Sequence, residues 1–217
     1  IAPFGDVHWI EGCEAPTIKD YKIHMEPLPN AKPVAMQPIP LSPYDDLRVE
    51  YHLWENVFLG KMRKLNPMVD GLPEYSTAVF VVDQDAKGLL GRMVCACGPV
   101  NSVLMQATFP AADVLRAWQI AAGSKHHTLI DAIWGYTQFL LDEPTKKVLV
   151  VCHRSGLYEW LRMPFGPAPA PAIMQNYVYT SFAQLVSPIT NLYFCTPCMD
   201  DIACSSKTLE DHIACLI

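Results

Sequence analysis

Asp200 and Asp201 stand side by side between two apolar runs, residues 192–195 (LYFC) and 202–204 (IAC). β-favouring residues on both sides of a short polar break predict a β-hairpin with the two carboxylates at its tip. Adjacent acids among apolar strands are costly, because like charges repel and a buried carboxylate loses hydration. A hard divalent cation held by oxygen ligands removes both costs. A third acid, Asp131, ends another apolar stretch, residues 127–131, read as a short buried strand. If that strand neighbours the hairpin, Asp131 comes beside Asp200. Displacement at phosphorus uses such carboxylates to hold two Mg²⁺ ions about 3.5–4 Å apart. Taken alone, an Asp-Asp pair reads as a solvated acidic turn.

The whole chain bounds what these acids can serve. Its 217 residues suffice for one substantial core or two small lobes, and 51% hydrophobic against 18% charged residues is a globular composition. The formal net charge of −6 excludes whole-surface binding of nucleic acid and leaves only a local basic patch for that purpose. No apolar run approaches the roughly 20 residues that cross a membrane, so no membrane partner is expected. The chain starts at Ile1 without a leader, which predicts a piece excised from a longer, intracellular protein acting in a cytoplasmic particle or the nucleus. Five of the eight cysteines lie in strand-like runs (Cys95, Cys97, Cys152, Cys195, Cys204), as reduced core cysteines do.

Residues 1–43 are punctuated by proline and predict an extended strap. Over 44–64, Leu47, Tyr51, Trp54, Val57 and Met62 fall on one face of a predicted helix, with Asp45 and Asp46 in its first turn. Lys61, Arg63 and Lys64 close that helix, where cations complement the last carbonyls. Residues 78–83 and 91–97 predict a hairpin whose basic tip carries Lys87, with Arg92 close by. A helix follows over 110–122, with Pro110 near its start and an apolar set of Val114, Leu115 and Trp118. Strands are expected over 148–152 and 157–161, a helix over 172–185, and a last helix beginning at 207. Strands and helices mix without regular alternation, so the class is α+β.

These blocks, in this order, resemble a known family. Cys198-Met-Asp-Asp201 resembles the Tyr-x-Asp-Asp box of reverse transcriptases, with Cys in place of Tyr. Residues 156–166 (GLYEWLRMPFG), followed by Ala170-Pro-Ala172 and Gln175, are similar to the nucleotide-binding segment of gypsy-type LTR retrotransposon enzymes. Asp131 with Gly135-Tyr136-x-Gln138 resembles their preceding catalytic block; Gly88, Arg92-Met93 and Asn101 resemble their fingers hairpin; Ser206 with Asp211-His212 resembles their downstream helix.

The resemblance implies the fingers and palm subdomains of a right-hand polymerase, the palm an antiparallel sheet packed on helices. It divides the chain into a strap (1–43), fingers (44–106), palm (107–138), fingers (139–168) and palm (169–217), with thumb and RNase H absent. It implies an RNA- or DNA-templated DNA polymerase that takes a primed template and dNTPs, with two Mg²⁺ (or Mn²⁺) ions per site. Asp131, Asp200 and Asp201 would be catalytic and would ligate the metals together with the Ala132 carbonyl. Lys87, Arg92, Trp134, Gly135, Tyr136, Phe165 and Gly166 would bind the nucleotide, Tyr136 beneath the sugar and Arg92 on the triphosphate. Lys61, Arg63, Lys64, Gln175 and Met199 would meet nucleic acid. An oligomer or a partner chain would supply the missing thumb.

Residues 95–101 (CACGPVN) depart from the family pattern, which has an acid and an arginine there. Two other readings stand beside the polymerase. One is a retroelement-derived remnant that binds nucleic acid or a partner without polymerising. The other is a zinc module built on Cys195, Cys198, His212 and Cys215. Cys152 and His153 read as a core thiol beside an exposed imidazole, and His126 and His127 as a polar loop.

Overall fold

The computed structural model describes residues 15–18, 21–109 and 114–217. The first half runs β1 (Lys22–Ile23), α1 (Pro43–Phe58), β2 (Met62–Lys64), α2 (Pro67–Asp70), β3 (Thr77–Val82), β4 (Arg92–Cys95) and α3 (Gly98–Asn101). Then come α4 (Val114–Ala121), β5 (His126–Asp131), β6 (Leu140–Leu141), α5 (Glu143–Val148), β7 (Val150–His153) and β8 (Gly156–Trp160). The chain closes with α6 (Ala170–Phe182), β9 (Cys195–Cys198), β10 (Asp201–Ser206) and α7 (Leu209–Leu216). These elements group into two compact units, one of residues 1–106 with 136–168, the other of 107–135 with 169–217.

The first unit holds a five-stranded sheet in the order β2-β8-β7-β3-β4. Only the β3–β7 pair is parallel. The α1 helix begins where Ser42 caps the Asp45 N–H and Pro43 sets the first turn, with Asp45 and Asp46 at the positive end of the dipole. Its buried stripe is Asp46, Val49 and Leu53. The apolar face expected to point inward points out: Leu47 is 62% and Trp54 60% exposed. Both stripes have helical spacing, but the buried one carries the polar match. Asp46 meets His153 of β7 at 2.9 Å inside the unit, so His153 is buried with Cys152 and not exposed as expected. An ionisable pair taken out of water fixes the helix rotation, because either group alone would be costly.

The helix also stops earlier than expected. Gly60 turns the chain at φ +65°, and Met62–Lys64 crosses to pair with β8. Lys61, Arg63 and Lys64 therefore do not close a helix. Lys61 is buried; Arg63 donates to Glu159 at 2.6 Å and Asp70 at 2.9 Å; Lys64 lies 5.6 Å from the centroid of the Tyr158 ring. Upstream, residues 21–42 run as a strap pinned by β1 against β6 and by bridges Pro27–Leu104 and Ala35–Ser76.

The second unit is a three-stranded antiparallel sheet, β5-β10-β9, packed against α4, α6 and α7. His126 and His127 belong to β5 and not to a loop; the His127 ring lies 2.9 Å from the Ser205 hydroxyl. β5 was expected to be buried, yet Leu129 is 68% exposed, because this strand forms one edge of the sheet. On α4, Leu115 and Trp118 likewise face out, while Pro110 and the Val114 side chain lie outside what is described. α7 starts at Thr208, whose hydroxyl caps the Asp211 N–H.

Candidate active site

The β9–β10 hairpin forms, three residues later than its first apolar run suggested. Pro197 has no N–H to give the ladder, so its strand reads as an edge, and β9 is the other edge of its sheet. Met199 takes the left-handed backbone conformation at φ +54° and turns the chain into Asp200. α6 holds this turn: the Met199 N–H donates to Gln175 Oε1 at 2.7 Å, and Gln175 Nε2 reaches the Pro197 carbonyl at 3.5 Å. Gln175 is buried, so its amide is committed to the hairpin.

The acids meet across the β5–β10 ladder, whose register sets Asp131 opposite Asp201, not opposite Asp200. Asp200 reaches the same place through its backbone, its carbonyl accepting from the Ala132 N–H at 2.9 Å. That bond makes Asp131–Asp201 a non-hydrogen-bonded pair, the closer kind, with Cα atoms about 4.5 Å apart in regular sheets. Directly opposed residues share a face, so two exposed carboxylates are forced together by the register. Gly135 completes the cluster. A Cβ there would stand 2.8 Å from Met174 Cε, 3.4 Å from Asp200 Cβ and 3.5 Å from Ala132 Cβ. Neighbouring Trp134 is left-handed at φ +50°.

The donor set fits a hard divalent ion, being carboxylate and carbonyl oxygen only. Among the described residues no three or more His, Cys, Asp or Glu side chains, Asp131, Asp200 and Asp201 included, are grouped so as to hold a metal ion by themselves. Mg²⁺ suits that economy, since it is usually held by one or two carboxylates with the remaining positions filled by water and substrate phosphate. Cys195, Cys198, His212 and Cys215 form no zinc site; His212 is engaged by Thr128 at 2.8 Å and by Ser206 at 3.3 Å.

The first unit brings together another part of the expected set. Arg92, at the start of β4, places its guanidinium 4.6 Å from the centroid of the Phe165 ring. Phe165 lies 4.6 Å from the Tyr136 ring, which is buried. Gly166 sits at φ +113°, and a Cβ there would approach Cys97 Sγ to 2.9 Å. Asn101 clips this loop, donating to the Gly166 carbonyl at 2.9 Å and accepting from the Ala168 N–H at 2.8 Å. The Lys87 side chain lies outside the described residues.

No family model matches the chain. In sequence it is similar to the retrovirus-related Pol polyprotein from transposon 297 of Drosophila melanogaster, 27% identical over 184 residues, 83% of this chain and 16% of that protein. It is also similar to the enzymatic polyprotein of cauliflower mosaic virus (strain NY8153), 25% identical over 185 residues, 84% of this chain and 25% of that one. In structure it is similar to the prototype foamy virus protease-reverse transcriptase, with a TM-score of 0.73 at 18% identity over 96% of this chain and 26% of that one.

The chain has a reverse-transcriptase-like fold.

The chain spans about a sixth to a quarter of the length of these relatives. No helix among its described residues is long and apolar enough to cross a membrane. Two positioning residues gave little sign of that role in the sequence. Asn101 was legible only as part of a resemblance. Arg162 had no reading of its own within residues 156–166, yet it is buried and donates to the carbonyls of Gly60, Pro16 and Thr137 at 3.2, 2.8 and 3.2 Å.

Proposed function

We propose that this chain is the fingers–palm part of a gypsy-type reverse transcriptase, with the first unit as fingers and the second as palm. The observation that carries the reading is the forced pairing of Asp131 with Asp201, with Asp200 and Gly135 packed beside them. Asp131, Asp200, Asp201 and the Ala132 carbonyl would hold two Mg²⁺ or Mn²⁺ ions. Such ions, when bound, activate an attacking hydroxyl and stabilise a leaving oxygen.

In the reaction, a primer 3′-oxygen bonds to the α-phosphorus of a dNTP, the α–β bridging bond breaks, and pyrophosphate leaves. The chain's own residues supply position and charge. The buried Gln175 amide fixes the turn and with it the backbone of Asp200. Gly135 admits close approach next to Asp200. Arg92 offers a guanidinium already oriented by an aromatic face, suited to bidentate contact with phosphate oxygens. Tyr136 would lie under the sugar and Phe165 and Gly166 along the nucleotide, with RNA or DNA as template. The setting would be inside the cell, in a cytoplasmic particle or the nucleus, with a further chain or copy supplying primer grip.

A second reading, a remnant that folds without polymerising, is favoured by residues 95–101, where the family's acid and arginine are missing and Asn101 serves the loop. Binding of a fluorescent dNTP with Mg²⁺ separates the two. The polymerase reading expects saturable binding that needs the divalent ion and is lost in Asp131→Asn. Binding that ignores the substitution favours the remnant.

A further inference from the structure

The hairpin that carries Asp200 and Asp201 also carries a pair of thiols that the proposed chemistry does not use. β9 and β10 pair Cys195 directly with Cys204. The Ser205 N–H donates to the Phe194 carbonyl at 2.9 Å, which makes Cys195–Cys204 a non-hydrogen-bonded pair. Such pairs hold their Cα atoms about 4.5 Å apart, inside the roughly 4.4–6.8 Å span of disulfides. Directly opposed residues also share a face, so both sulfurs project to one side. Both residues are reduced and buried, at 1% and 3% exposure. The two thiols are hydrogen-bonded to each other, which lowers the Cys204 thiol and, with burial, raises that of Cys195. Cys198, the exposed thiol at the tip, is opposite Asp201 and has no sulfur facing it across the ladder.

We propose that Cys195 and Cys204 are a redox-modification site, closing to a reversible disulfide across the acidic hairpin when a peroxide reaches them. The pair stands on sheet register and burial, independently of the polymerase reading. Entry is through β9, an edge strand whose local opening admits a small uncharged oxidant. The Cys204 thiol gives up its proton and the thiolate attacks one peroxide oxygen; the O–O bond breaks, a sulfenic acid forms, and the departing hydroxide takes that proton as water. The Cys195 sulfur then attacks the sulfenic sulfur, forming S–S and releasing the second water. Two electrons pass from the two sulfurs to the peroxide, and dithiol reductants reverse the change. The ring so formed encloses Met199, Asp200 and Asp201, and staples the strands that position them.

The test treats the full chain with hydrogen peroxide, blocks remaining thiols with iodoacetamide, and cleaves before Asp residues under non-reducing conditions. Cleavage at Asp200 and Asp201 separates Cys195 from Cys204. The proposal expects the two fragments to stay joined, lighter by two hydrogens than their sum, with tandem mass spectrometry placing the bridge at Cys195. The link should persist in Cys198→Ser, a change at an exposed tip, and disappear on adding dithiothreitol. Fragments that stay separate after Cys198 itself has oxidised would overturn it. So would a bridge that maps to Cys198 or vanishes in Cys198→Ser.

Discussion

Asp131 and Asp201 face each other across a ladder with no ion pair to either among the described residues, and that cost should be measurable. In metal-free buffer Asp131→Asn should raise stability slightly, near the low end of the about 0.2–1 kcal/mol carried by cross-strand pairs, because both acids are exposed. Urea denaturation in EDTA checks this, and a variant less stable than wild type would mean the pair does not repel. Gln175 works in the opposite sense. Gln175→Leu keeps bulk but orphans the Met199 N–H, so stability should fall by about 1–3 kcal/mol, read as a lower urea midpoint. Arg92→Lys keeps a positive charge but loses the planar fork over Phe165. It should weaken dNTP affinity while leaving the melting temperature unchanged, which isothermal titration and a thermal scan distinguish.

At the scale of elements, α1 gives the clearest contrast. Leu53 is fully buried and Leu47 mostly exposed, so Leu53→Ala should cost about 2–5 kcal/mol and Leu47→Ala less than about 0.5 kcal/mol. Equal losses in chemical denaturation would mean the helix packs by its other face. The strap offers a pH-dependent contact. The hydrogen bond from His24 to Asp142, at 2.6 Å, holds the imidazole above its ordinary value of 6.5. A raised folded value means its stabilisation is complete below the unfolded value and is lost as pH rises through the folded one. The melting temperature should therefore fall slightly from about pH 6 to about pH 8, and His24→Gln should remove that slope.

The same elements mark what the sequence could disclose. The hairpin, the Arg92 strand, the approximate starts of α1 and α7 and the α+β class followed from local patterns, because turn residues, first-turn acids and periodicity act within a few residues. The face of α1 did not. Its outward stripe is the more apolar, and the choice was made by His153, far along the chain, meeting Asp46. The opposition of Asp131 to Asp201 was equally hidden, since register between distant strands is a property of the assembled sheet. Lys61–Lys64 misled for the reason that a cationic helix end and a short paired strand look alike over four residues. Gln175 resembled a contact to nucleic acid, and only packing revealed that its amide is committed to the turn.

For the molecule as a whole, the proposed activity is polymerisation. In fold the chain is similar to part of a protease-reverse transcriptase, about a quarter of which it covers. Primer extension on matched RNA and DNA templates, with Mg²⁺ or Mn²⁺, tests the claim in wild type, Asp131→Asn and Asp200→Asn, each verified as folded by circular dichroism. A high primer concentration keeps the primed template bound. Wild type should incorporate dNTP, and both variants should lose that incorporation. Extension surviving in both variants, or none from folded wild type with either ion, would contradict it.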